Sequence, residues 1–270
     1  MAIQLGHAGR KGSAYCDLSG GTGSVPVSDA AGWQTVAPSA IAFPGLAQPR
    51  ALARAEIPGV VEAFATAAAR ADAAGFDAVE LHAAHGYLLS EFCSPLSNQR
   101  DDEYGCDFDG RTKLLLEVID AVRAALPAGK PLIARISATE WVPGGWSLEE
   151  TVNLAGIMGA RGVDLIDVSS GGNVPVPGSV PVPSGPGYQV PLARAVRAAG
   201  VPVTAVGLIT EPEYAQAILT EGSADAVQIG RAALREPSWP LRAAHELGAA
   251  DAAALYPPSY RRGQYPQPRR

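Results

Sequence analysis

The sequence is poor in several things, and each shortage closes off a class of protein. It has three cysteines in 270 residues, Cys16, Cys93 and Cys106, an odd number with no CxxC spacing. Neither a disulfide framework nor a structural zinc site is expected, and a reducing cytoplasm is the default location. No apolar run approaches the ~18 residues needed to cross a bilayer, and no secretory n-region and h-region pair opens the chain. Basic residues number 21 against 27 acidic, a net charge of −6, and no basic stripe stands out before the last few residues. Nucleic acid and membrane surfaces are therefore not expected partners. Histidine is scarce too, at four residues, yet two of them, His82 and His85, sit three apart.

What is present is a regular alternation of apolar runs and helical patterns. Hydrophobic residues make up 47% and charged residues 18%, the balance of a folded globular chain. The runs Ile3–His7, Ala78–Leu81, Pro131–Ala138, Asp164–Ser170, Pro202–Leu208 and Ala226–Arg231 read as strands. They are nearly continuous in apolar residues, as strands of a parallel sheet covered by helices are. A stretch rich in Gly, Ser and Pro, residues 9–49, reads as a loop excursion. Helical periodicity runs from Glu56 to Ala74, where Gly75 stops it, and recurs around Leu114 to Val122. Ser147 with Glu150, and Thr210 with Glu213, have the spacing of capping boxes. A last helix is expected near Trp239 to Leu247.

Alternating strands and helices fit a doubly wound sheet or a (β/α)₈ TIM barrel. No GxGxxG opens a helix after any strand, which removes the commonest reason for the doubly wound sheet. Polar residues recur where strands end, and a barrel brings those ends to one mouth. The expected fold is therefore a TIM barrel, of which only six strands are found.

Three constellations carry chemistry. Gly207, Gly230 and Arg231 end the last two strands, where barrels hold phosphate; they equally suit ordinary turns with a paired arginine. His82, His85 and Tyr87 in HAAHGY suit either a structural cluster or a pair of donors holding a carbonyl oxygen beside a phenolic acid. Arg135 lies in an otherwise apolar strand and needs an anionic partner, either an Asp or Glu or a bound anion. The run SNQRDDEYG reads as a structural loop whose charges lock against one another.

The motifs QLGHAGRKG, GWQTVAPSAIAF, GFDAVELHAAHGYLLSEFCSPLSNQRDDEYG, RISATEW, DLIDVSSGG, GPGYQVP, AVGLIT and IGRAALREP occur in that order. Together they resemble the old yellow enzyme family, in its bacterial branch of FMN-dependent NADPH dehydrogenases and ene-reductases. The resemblance implies FMN as cofactor and NADPH or NADH as hydride donor. It gives His82 and His85 the carbonyl or nitro oxygen of an activated alkene, and Tyr87 the proton for its carbon. It matches Gln4 to a contact with the flavin pyrimidine ring and Arg135 to the arginine beside flavin N1 and O2. Gly207, Gly230 and Arg231 match the phosphate site. In residues 257–270, Arg262 matches an arginine that enters a neighbouring subunit's active site in a homo-oligomer; a plain basic tail is the other reading.

The sequence departs from the family in two places. The acidic loop reads DEYGCDFDGR where relatives usually have DEYGGSFENR, which is expected to loosen the following helix start. Relatives also carry a further N-terminal stretch with two barrel strands and a flavin-tuning cysteine. The expectation is thus an incomplete barrel, strands three to eight, with unpaired edges at Ile3–His7 and Ala226–Arg231. On that expectation the rival function is a flavin-free remnant or fragment acting as a binding or assembly piece.

Overall fold

The apolar runs pair side by side into one parallel sheet. The computed structural model describes residues 1–16 and 21–265. In chain order its strands are β1 (Ala2–Leu5), the two-residue β2 (Val36–Ala37) and β3 (Arg50–Ala51), β4 (Ala78–Ala83), β5 (Leu132–Ser137), β6 (Leu165–Ser169), β7 (Val203–Ala205) and β8 (Ala226–Val227). Six of them form the sheet in the order β1-β4-β5-β6-β7-β8, while β2, in the loop excursion, and β3, just after it, pair only with each other. Among the described residues β1 and β8 are edges with one neighbour each. The fold is α/β with a parallel sheet.

Side chains alternate across a strand, so one set of residues faces the helices. Val79, Leu81, Ala134, Ile166 and Val203 are fully buried there. They pack against α1 (Ile57–Ala73), α3 (Phe108–Ala125) and α4 (Leu148–Ala160) in a single core cluster. Each such Val, Leu or Ile contributes about 1.5–3 kcal/mol by leaving water. Short α2 (Leu88–Cys93) lies between α1 and α3 in sequence; α5 (Val190–Arg197), α6 (Pro212–Thr220), α7 (Arg231–Arg235) and α8 (Trp239–Glu246) complete the chain.

Two helix starts differ from expectation. Ser147 and Glu150 do form a capping box, with Ser147 Oγ accepting from Glu150 N at 3.2 Å and Glu150 Oε2 accepting from Ser147 N at 3.0 Å. Thr210 and Glu213 do not. The cap of α6 is Glu211, because Pro212 has the φ and the missing N–H suited to a first helical position. Thr210 instead offers its carbonyl to Trp239 Nε1 at 2.6 Å. The acidic loop is not loosened either. Cys106 takes φ +64°, and Asp107 caps α3 by accepting from Gly110 N at 2.9 Å. Arg100 pairs with Asp102 and Arg54 with Glu103, so the loop's charges lock as expected.

The sequence reading also missed α2, α5 and α7, and overran the edge strands. Gly6 and His7 leave the ladder, as do Gln228 to Arg231. Replacing Ser147 by Ala should lower unfolding stability by about 1 kcal/mol. Thr210→Ala should stay within about 0.5 kcal/mol of the parent. Urea unfolding of both variants checks this, and equal losses would contradict the assignment of caps.

Candidate active site

The chain leaves β4 through a turn that can be made in only one way. His85 sits at φ +60° and Gly86 at φ +70°, the left-handed region. A Cβ on Gly86 would stand 2.5 Å from Asn173 Cα, and one on Gly172 would stand 2.7 Å from His85 Cα. The turn after β4 and the loop after β6 therefore meet backbone to backbone, and glycine at both positions permits it. Ser137 at the end of β5 pins the turn: its Oγ accepts from His85 N at 2.9 Å and donates to Gly171 O at 2.8 Å. Ser169 holds the His85 ring, Oγ to Nε2, at 2.7 Å.

This turn gathers three rings. His82 and His85 are 5.2 Å apart between centroids and nearly perpendicular, and His82 lies 4.9 Å from Tyr87. Burial, helped by the charge of Arg135, brings both histidines down to about 4. Both are neutral near neutral pH. His82 Nδ1 accepts from Ala84 N at 3.2 Å, which leaves the ring proton on Nε2. The group is a set of uncharged donors.

Lys11 belongs to the same place, although the sequence reading passed it over. It sits in a 3-10 turn, Gly9–Lys11, directly after β1. Its Nζ donates to the His85 carbonyl at 2.7 Å and to the Gly172 carbonyl, and stands 5.5 Å from the centre of the Tyr87 ring. Burial, then the charge of Arg10, pulls its pKa down to about 8. Arg10 itself is buried and ties this turn to Asn173, donating to its carbonyl at 2.6 Å and to Oδ1 at 3.0 Å. Glu91 accepts from Arg10 N at 2.9 Å and is fully buried; that burial pushes its carboxyl up to about 8.

A cavity of about 250 Å³ opens between the loops after β6, β7 and β8, joined to these rings by Ser169, which lines it and holds His85. Arg135, Gly207, Gly230 and Arg231 all line it, together with Ser169, Gln189 and Arg235. None of its lining residues is a carboxylate. Among the described residues neither Arg231 nor Arg235 forms an ion pair, whereas Arg135 Nε lies 3.0 Å from Asp167 Oδ2. Gly207 has φ +128° and a Cβ there would stand 2.9 Å from the Tyr188 ring; a Cβ on Gly230 would meet no protein atom and would project into open space. Arg231 and Arg235, the two arginines here without an acid partner, suit an anion. That donor set fits the phosphate and polarised ring edge of a flavin nucleotide.

Two expected residues lie elsewhere. Gln4 donates to Glu80 at 3.1 Å and fronts an open apolar groove of about 550 Å³ along the free side of β1. Arg262 is exposed on a 3-10 turn, Pro258–Gly263, and lines neither cavity; residues 266–270 of the expected tail lie outside the described residues. In the sequence Ser137 and Ser169 were visible only as polar residues at strand ends and Gln189 not at all, while the two consecutive cations of GRKG after a strand were a usable sign of Lys11.

The buried acid yields a test of sign. A carboxyl raised in the folded state favours folding fully below its ordinary value of 4.5, and that contribution is lost as pH rises through about 8. Glu91→Gln should remove this loss. Urea unfolding across that range should show the parent falling relative to the variant, and parallel curves would contradict the burial of a neutral acid.

Known proteins bear on this geometry. The chain matches the NADH:flavin oxidoreductase / NADH oxidase family over residues 1–249. It is 44% identical to an NADPH dehydrogenase of Halalkalibacterium halodurans over 248 residues, 92% of this chain and 67% of that one. It is 45% identical to an NADPH dehydrogenase of Geobacillus thermodenitrificans over 265 residues, 97% of this chain and 70% of that one. The chain thus spans about two thirds of the length of these relatives. Among solved structures it resembles morphinone reductase in complex with tetrahydroNAD, with TM-score 0.70, 30% identity, and coverage of 92% of this chain and 66% of that one. With its motifs, its parallel sheet and its family match in agreement, the chain belongs to the NADH:flavin oxidoreductase / NADH oxidase family of the old yellow enzyme type, oxidoreductases that work with FMN and NAD(P)H.

Proposed function

We propose that the chain carries the active site of an FMN-dependent ene-reductase that reduces an activated alkene, such as an enone or nitroalkene. The observation that carries this reading is the adjacency of two environments: neutral donors at His82, His85 and Tyr87, and an acid-free cavity walled by Arg135, Arg231 and Arg235. FMN, when bound, passes hydride from NADPH or NADH to the substrate. Arg231 with Gly207 and Gly230 would hold its phosphate, Arg135 the N1 and O2 edge, and Gln4 the pyrimidine ring.

The protein's own contribution is positioning and proton supply. His82 Nε2–H and a ring N–H of His85 donate to the substrate oxygen, where negative charge grows as the alkene is reduced. Ser169 sets which His85 nitrogen is free: when its hydroxyl donates to Nε2, the ring proton is on Nδ1. Tyr87 O–H gives the alkene carbon its proton and regains one from solvent. Hydride plus proton completes the addition across the double bond.

The six-stranded sheet is read as strands three to eight of a TIM barrel, in one domain over 1–270 with a loop excursion at 9–49 and a tail at 257–270. The free edges of β1 and β8 support this, since a barrel has no edges. Two further strands would join them. Arg262 on its exposed turn is read as reaching the site of a second copy in a homo-oligomer. No described helix is long and apolar enough to cross a membrane, and a cytoplasmic setting is proposed. The open edges equally favour a second reading, a fragment that holds no flavin by itself.

Titration with FMN, followed by quenching of flavin fluorescence, separates the two readings. Saturable binding that Arg231→Ala weakens about tenfold to a hundredfold supports the first, since a charge-assisted contact is worth about 1.5–3 kcal/mol. Absence of binding sinks it for this chain. In flavin-loaded protein Tyr87→Phe should slow alkene reduction by about 10²–10⁴ while flavin reduction by NADPH keeps its rate. Equal slowing of both half-reactions would remove Tyr87 from the role of acid.

A further inference from the structure

Beneath the candidate site the sheet carries a layer of polar side chains, and its two acids have no part in the reaction proposed above. Gln4, Glu80, Arg135, Asp167 and Thr204 each come from a successive strand, and Gln228 follows the last. Alternation puts them on one face; Gln4 is opposite Glu80, and Arg135, Asp167 and Thr204 lie opposite one another in turn, while between β4 and β5 the row is offset by two residues, Glu80 lying opposite Ile133 and His82 opposite Arg135. One step below, the same face is apolar, with Ala78, Ile133 and Leu165. One step above come His82, Ser137 and Ser169.

The layer has more acid than base. Asp167 is fully buried; Arg135 Nε is 3.0 Å from its Oδ2, and Thr204 Oγ1 donates to its Oδ1 at 3.1 Å. The Arg135 N–H is misaligned for a hydrogen bond, so Nε and Oδ2 remain without a bonded partner despite their closeness. Glu80 takes Gln4 Nε2 at 3.1 Å and hydrogen-bonds Asp167. Two carboxyl groups can hydrogen-bond each other only through a proton held between them. Burial raises both above the ordinary carboxyl range, and the charge of Asp167 raises Glu80 further.

We propose that Glu80 and Asp167 share one proton and act as positioning residues for Arg135, so that the trio is neutral overall and an anion in the adjoining cavity meets no uncompensated carboxylate. With the proton, one cation faces one anion. Without it, the trio carries a net negative charge directly below the cavity. Anion binding and proton uptake are then linked, each strengthening the other by the same factor. The inference rests on the reading of the cavity as a flavin site, except for the shared proton itself, which belongs to the chain alone.

The other groups turned toward this layer do not imitate the effect. Gln4, Thr204 and Gln228 do not titrate, and His82 and His85 are neutral above about 4. Lys11, Arg231 and Arg235 stand near the cavity; Lys11 loses its charge near 8, in parent and variant alike. The difference between parent and Glu80→Gln therefore isolates the pair.

Two measurements test the proposal. Infrared spectra of the flavin-free chain near neutral pH should show a neutral carboxylic acid carbonyl band that is lost in Glu80→Gln. Glu91 adds its own band to both, so the difference is read. Asp167→Asn, with circular dichroism of both variants, serves if Glu80→Gln does not fold, and should remove the same band. An unchanged band in a folded variant overturns the shared proton. In the second measurement, FMN affinity of the parent should fall as pH rises and the shared proton is lost, by at most about tenfold per unit for that proton, while Glu80→Gln shows only the fall that Lys11 brings near 8. A merely structural role would weaken the variant equally at every pH, and parallel curves would overturn the coupling. If the parent binds no FMN, the flavin reading fails, and the infrared result still decides the proton.

Discussion

The strict alternation of side chains along parallel strands held in register is the constraint on which everything else rests. Ala2 pairs with Ala78, Ile133 with Leu165 and Ile166 with Val203, so odd and even positions sort into faces across the whole sheet. One face is then free to be entirely apolar under the helices. The other is left to carry Gln4, Glu80, Arg135, Asp167 and Thr204, with His82, Ser137 and Ser169 two residues further along their own strands. A slip of one residue in β4, β5 or β6 would turn Glu80, Arg135 or Asp167 into the core. The same rule that builds the fold therefore aims the chemistry.

The site above that sheet is set by backbone contacts more than by side chains. Gly86 and Gly172 let two loops touch, and Ser137, Asn173 and Arg10 stitch the contact from three directions. Left-handed φ at His85 is a small conformational cost, of order 1–3 kcal/mol, that such stitching holds in place. What it fixes is the facing of His85 toward His82 and of both toward Tyr87.

Legibility in the sequence followed the range of the interaction. Strand β4, the helix α3 and the Ser147 cap were readable because their signals lie within a few residues. So was the need of Arg135 for a partner, although its identity, Asp167, is a matter of register and was not. The helix α5 was hidden because Gly185, Pro186 and Gly187 precede it and Pro191, a start signal, also reads as a stop. Thr210 misled because a serine-type cap pattern competes with a proline two residues on. The motif resemblance pointed to His82, His85, Tyr87 and Arg231; it did not point to Lys11, whose place comes from the carbonyls of His85 and Gly172, far away in sequence. Gln4 and Arg262 were named from the motifs, and the structure holds each apart from the arginine cavity.

The polar layer also poses a question of cost. Interiors of closed barrels are dominated by Val, Ile and Leu, and an apolar layer of equal volume is often as stable as a buried ion pair or more so. Here the layer keeps two acids and an arginine, with the fully buried Asp167 ion-paired to Arg135 and hydrogen-bonded by Thr204. Removing Arg135 alone would leave a buried carboxylate unpaired, and removing Asp167 alone would leave the arginine without its anchor; the arrangement is stable only as a set. Such a set cannot drift residue by residue toward an apolar core. Interdependence holds it together as much as any net gain in stability, and it keeps a fixed positive fork at the cavity wall where a flexible lysine would not.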